Sequence, residues 1–232
     1  MAIASAGGCQ APAPPPPVLG RPTPPTTTAP TEAAAPATGP IDAATLFPLQ
    51  PRSGMMRIME GPQAGKLLPF ELEQADDHWV LTLQGRQRVY LRQDPQGGLV
   101  IFREDDLTEQ VQVEYDPALP MLPARVTVGS VNEGQARMVV RHLVSGAPRD
   151  QGTCHYRVQI LKTTQVDVPA GTYPAYIVYA VRDIRLALAQ ATVVIETAYA
   201  PGVGQVAEIV HQQTRALGLV GGTSIQRVEL AR

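Results

Sequence analysis

The sequence predicts a mainly β protein: a curved antiparallel sheet or partly closed barrel of about ten strands, preceded by a disordered proline-rich tether. Three observations carry that reading. Eleven of the 23 prolines fall between Pro12 and Pro40. Beyond them, apolar residues recur mostly with a period of two rather than 3.6. Turn signals built from Pro, Gly, Asn and Asp then punctuate the chain at hairpin spacing.

Composition bounds the function classes. The chain has 232 residues, 19 basic and 21 acidic, for a formal charge of −2. That balance argues against nucleic acid as a partner, since such domains carry a basic surplus. An apolar fraction of 44% suffices for one core, and 17% charged residues is too few for a coiled coil. The length suits one domain plus a tail. Residues 1–9 read as the remnant of a signal region, 10–44 as a linker, and 45–232 as a single β-rich domain.

The first element is the N-terminal nonapeptide MAIASAGGC. Ala6-Gly7-Gly8-Cys9 resembles the lipobox of bacterial lipoproteins, in which small residues precede the cysteine that receives the lipid. The family usually has Leu where this chain has Ala6. Eight residues also leave no room for a charged region and a 7–15-residue apolar core. The resemblance implies lipidation of Cys9 and a membrane anchor through it. Gln10 after the cysteine, rather than Asp, implies an outer-membrane address facing the periplasm, with the cell surface or the soluble periplasm as alternatives. No run of 18 apolar residues is present to form a transmembrane helix.

The tether follows. Residues 10–40 carry one basic and one acidic side chain, Arg21 and Glu32, and no large apolar residue except Val18 and Leu19. Such a stretch cannot bury enough surface to offset the entropy of ordering it. Its prolines favour polyproline II, with a fully extended reach of roughly 90 Å. The threonines beside those prolines also fit a glycosylated stalk.

Strands then succeed one another. Leu68, Phe70 and Leu72 share a face; so do Trp79, Leu81 and Leu83, then Val89 and Leu91. Asp94-Pro95-Gln96-Gly97-Gly98 is a turn, and the next strands contain Val111, Val113 and Tyr115. Asp116–Pro123 holds three prolines, which exclude a central strand and predict an extended segment packed on the sheet. Ala136, Met138, Val140 and His142 fall on one face, as do Tyr156, Val158 and Ile160. In Tyr173–Val181 both faces are apolar, which predicts a strand covered on both sides. Arg182–Gln190 fits either a strand or a short helix.

The turns Val168-Pro169-Ala170-Gly171-Thr172-Tyr173 and Tyr199-Ala200-Pro201-Gly202-Val203-Gly204 resemble those of uncharacterised exported β-rich domains of bacterial lipoproteins, over about residues 110–212. The resemblance implies a curved antiparallel sheet similar to those of lipoprotein-carrier proteins. It implies no catalytic residue.

No catalytic motif, cofactor motif or metal-ligand spacing is visible. Cys154 reads as a small buried residue, with His155 projecting to the opposite face. Glu104-Asp105-Asp106 and Asp76-Asp77-His78 read as solvated hairpin tips. The expected role is therefore non-enzymatic: a lipid-anchored envelope protein, structural or an interaction subunit with an envelope protein partner. A carrier for a lipid or acyl chain is the alternative, with Trp79, Met138, His142, Tyr176 and Tyr179 as candidate ligand-lining residues. A hydrolase-like enzyme is a second alternative and would rest on His142 and Ser145. The sequence does not fix the oligomeric state.

Overall fold

The computed structural model describes residues 39–83, 85–216 and 219–231. Cys9 and most of the tether lie outside the described residues.

Two short elements come first, β1 (Ile41–Asp42) and α1 (Ala43–Leu46). A meander follows: β2 (Arg52–Glu60), β3 (Leu67–Ala75), β4 (His78–Leu83), β5 (Gln87–Gln93), β6 (Leu99–Asp106) and β7 (Val111–Leu122). The short β8 (Arg125–Val126) leaves the wall and pairs with β1. The meander resumes with β9 (Val131–His142), β10 (Pro148–Val168), β11 (Gly171–Leu186), β12 (Ala189–Ala200), β13 (Gly204–Ala216) and β14 (Leu219–Ala231). β14 pairs with β2 and closes a barrel of twelve antiparallel strands. The mainly β expectation holds, with a fully closed wall and more strands than the sequence suggested.

Alternation explains which side chains enter the lumen. Leu72, Leu91, Ile101, Met138, Val158 and Tyr176 belong to one contiguous buried cluster. A wall of about eight strands is just narrow enough for its own side chains to fill. Twelve strands enclose more space. Here the excess is taken up by the chain itself: Ala43, Leu46 and Phe47 from the N-terminal segment, and Val126 from β8, are each no more than 2% exposed within that cluster. The segment crosses the mouth beside the start of β2 and the β12–β13 turn. Its bonds are main-chain: Ala43 N–H donates to Ala124 O at 3.1 Å, and Gly202 N–H to Thr45 O at 2.7 Å. The Tyr176 hydroxyl donates to Gly39 O at 3.1 Å. The Phe47 ring meets Tyr199 edge-on at 6.2 Å, and the Arg52 guanidinium lies 4.6 Å over its face. Ile41–Ala43, which the sequence places in the linker, therefore belong to the packed domain.

β11 is covered on both sides, as its sequence predicts. Tyr176 and Val178 face the lumen, while Ala175 and Ile177 join a second cluster with Val166, Ala198 and Ile209 on the outer side. The β10–β11 hairpin rolls back to cover that cluster, and Ala170 N–H reaches Leu230 O on β14 at 3.1 Å. Arg182–Leu186 continues β11 as strand, with Ala187-Leu188 as the turn into β12.

The proline-rich stretch after Tyr115 differs from expectation. Pro117 and Pro120 lie within β7. They are tolerated because β7 pairs with β9 only as far as Asp116↔Arg137, so beyond that point it is an edge on that side.

Phe47→Ala should destabilise the domain by about 3–5 kcal/mol, since it empties the centre of the seal. Urea unfolding measures this; a loss below about 1 kcal/mol would mean that the segment is not part of the core.

Candidate functional site

The lumen is not uniformly apolar. A bulge after Ile101 resets β6 so that Glu104 lies opposite Val89 and Val113 on the core side. There Glu104 Oε2 accepts the Tyr115 hydroxyl at 2.7 Å, and Oε1 accepts Arg182 Nη1 at 3.0 Å. The Arg182 and Glu104 side chains are 16% and 17% exposed. Burial pushes the Tyr115 hydroxyl well above its ordinary range, and neighbouring Glu104 adds to the effect. Burial alone would lower the Arg182 guanidinium; Glu104 and Tyr115 more than reverse that, so it stays charged. Cys154 sits nearby at 0% exposure, its thiol pushed up to about 11 mainly by burial. A thiol so held is protonated at neutral pH and a poor nucleophile. The sequence reading of Cys154 as a packing residue agrees with this.

A second polar position lies on β12 and β13. The Thr197 hydroxyl donates to Glu208 Oε2 at 3.2 Å. Burial raises the Glu208 carboxyl, with the Thr197 bond opposing. Burial also raises the Tyr199 hydroxyl, with Glu208 adding to it. Arg52, lowered by burial, donates to the carbonyl of Val203 and so ties the β12–β13 turn to the start of β2.

On the outer face Asp105 is 0% exposed. Its oxygens accept Arg103 Nε at 2.7 Å, Arg103 Nη2 at 2.9 Å and the Tyr90 hydroxyl at 2.8 Å. Arg103 also lies 4.5 Å over the Tyr90 ring. His78, Tyr90 and Phe102 form a ring cluster with centroids 5.5–6.0 Å apart, and Arg92 covers Phe102 at 5.2 Å. This corrects the expectation for Glu104-Asp105-Asp106. Only Asp106 serves a turn, accepting the N–H groups of Thr108 and Glu109. The other two are fixed by cations, Asp105 by Arg103 two residues away and Glu104 by the distant Arg182.

Where β7 parts from β9 the wall splits. The split opens a cleft of about 630 Å³ lined by Arg92, Val100, Pro117, Pro120, Asn132 and Tyr156, among others. A shallower open depression of about 430 Å³ lies over β2–β4, beside Gly54, Phe70 and Thr82.

The candidate lining residues do not share one site. Met138 and Tyr176 are buried in the lumen cluster at 3% and 2% exposure, and Trp79 packs against it. Tyr179 is half-buried at a position opposite Glu196, which the alternation of β11 places away from Tyr176 and Val178. His142 is exposed at the end of β9, in the turn closed by its N–H to Ala147 O and by Gly146 N–H to its own carbonyl. In the same turn Ser145 Oγ accepts Ala147 N–H at 3.3 Å. Among the described residues no group of three or more His, Cys, Asp or Glu side chains is placed to hold a metal ion, and no helix is long and apolar enough to cross a membrane.

No family model matches the chain, and no curated protein matches it. Among solved structures, a candidate lipoprotein from Parabacteroides distasonis is similar over 82% of this chain and 98% of its own, at 13% identity and a TM-score of 0.39. So low a score carries no argument about fold or role, and nothing below rests on it.

Two outcomes follow from the buried polar groups. Arg182→Met leaves Glu104 buried and unpaired and should cost about 3–5 kcal/mol in urea unfolding; a loss under about 1 kcal/mol would contradict the pairing. Glu208 has a raised folded pKa, so its native form favours the proton and the wild type loses stability as pH rises past the unfolded value near 4.3. Glu208→Gln should therefore melt above wild type at pH 7, and the gap should close by about pH 4. A constant gap would refute the assignment.

Proposed function

We propose that the chain is a lipid-anchored protein of the bacterial cell envelope whose barrel serves a non-enzymatic, structural or protein-interaction role. The observation that carries this reading is the occupancy of the lumen. Ala43, Leu46, Phe47 and Val126 pack into it from one mouth, each no more than 2% exposed. A carrier needs a contiguous apolar cavity of several hundred Å³ where its ligand can sit. Here the protein's own segment packs into that space, and the two depressions described above open to the surface.

The anchor rests on Cys9, preceded by Ala6-Gly7-Gly8 and followed by the proline-rich stretch. Gln10 suits an outer-membrane address facing the periplasm. The described domain begins at Gly39, held by Tyr176 at the sealed mouth. A tether arriving there would leave the opposite mouth and the outer wall free for a partner.

Mass spectrometry of the protein purified intact from membranes tests both parts. The account expects an N-terminal acylated Cys9 and no stoichiometric non-covalent lipid under native conditions. An unmodified Cys9 would sink the anchor. One bound lipid or acyl chain per barrel would replace the interaction role with the carrier reading.

A further inference from the structure

The split between β7 and β9 leaves two strand edges that are not alike. On one bank β7 runs through Pro117 and Pro120, which have no N–H to offer. On the other, Val131–Ala136 pairs with β10 on one side, from Val131↔Gln159 to Ala136↔Cys154. Its other side has no partner strand among the described residues, because pairing with β7 begins only at Arg137. Every residue from Val131 to Gln135 is exposed. Natural proteins blunt such edges with proline, lysine or a bulge. β7 is blunted in that way; the sequence Val131-Asn132-Glu133-Gly134-Gln135-Ala136 contains neither proline nor lysine. The bank with free main-chain groups is the unprotected one, and it opens onto the 630 Å³ cleft through Asn132 and Tyr156.

We propose that this edge receives an extended, proline-free segment of a partner protein, which adds a strand to β9 and lays its side chains in the cleft. Alternating N–H and C=O groups along Val131–Ala136 specify an extended chain rather than a helix or a small molecule. Charge narrows the partner. Arg92 lines the cleft and forms no ion pair within 4.0 Å among the described residues, its guanidinium resting over Phe102. Asp94, beside it, is turned into its own loop, accepting Gln96 and Gly98 N–H. Glu133 is paired with Arg157. Asp94 keeps its negative charge, so the lining is balanced overall, but the Arg92 guanidinium is left without an ion pair among the described residues and can take an acidic side chain of the incoming strand. The chain's own residues 10–38 do not fit. Their prolines remove the donors that a ladder needs, and they carry a single acidic residue, Glu32. This proposal rests on the interaction role above and gives it a surface.

The test is selection of phage-displayed random twelve-residue peptides on the full-length protein, followed by synthesis of the enriched sequences. The expected peptides lack proline, carry Asp or Glu, and slow amide hydrogen exchange at Val131–Ala136. N-methylation at alternate peptide residues should weaken binding at least tenfold. Arg92→Gln should do the same while the domain still unfolds in one cooperative transition, and it lies outside the pairing of β9 with β10. Peptides that bind without protecting Val131–Ala136 would overturn the proposal, as would tolerance of N-methylation, failure to enrich any sequence, or equal binding of a peptide of residues 10–38. A dimer at micromolar concentration that protects the same edge would give it to a second copy and also overturn it. None of these failures touches the lipid measurement, so the broader role is judged separately.

Discussion

The structure depends on filling a lumen that twelve strands make too wide. A closed antiparallel wall satisfies its backbone groups whatever its size, but the space inside grows with strand number. Close packing does not tolerate the surplus as void. The chain resolves this by sending Ile41–Phe47 across one mouth and dropping β8 out of the wall to meet it. The two pair with each other, so their main-chain groups are satisfied away from the barrel ladder. The seal and the wall are thereby one cooperative unit.

Other features follow from that arrangement. Removing β8 from the wall leaves β7 and β9 joined only over Val111–Asp116, and the lower part of the seam stands open. The cleft and the free edge of β9 are consequences of the same excursion that closes the core. Farther from the seal the lumen carries Glu104, Tyr115 and Arg182, which bond to one another across β6, β7 and β11. Buried charges of this kind add little net stability over apolar packing, but they penalise any register that separates them. In a meander, where a slip of one residue inverts every side chain, such a penalty helps fix alignment.

Much of this was legible in the sequence. The two apolar faces of Tyr173–Val181 identified a strand covered on both sides, and Cys154 was readable as packing. Period-two alternation marked the strands around Leu72, Leu81, Met138 and Val158. What escaped was long-range. Nothing near Glu104 announces a buried acid; it meets Arg182 across 78 positions of sequence. Asp105 had a local signal in Arg103, two residues away on the same face, but three adjacent acids read more naturally as a solvated tip. The seal was missed because Ile41 and Ala43 end a proline-, alanine- and threonine-rich stretch that reads as linker, while Leu46 and Phe47, placed in the domain, carry no local sign of where they pack. Pro117 and Pro120 argued against a central strand, and the pairing pattern places them on an edge that tolerates them. The candidate ligand-lining residues scattered for a related reason: a face can be read from alternation, but its distance from the seal cannot.

The most direct test of the central claim compares chains beginning at residue 39 and at residue 48 by urea unfolding and by binding of a hydrophobic dye. The account predicts that the first unfolds cooperatively at the midpoint of the full chain. The second should lose several kcal/mol and bind dye, because its lumen is open. Equal midpoints and equal dye binding would show that the barrel fills itself, and the proposed dependence of the fold on its N-terminal seal would be wrong.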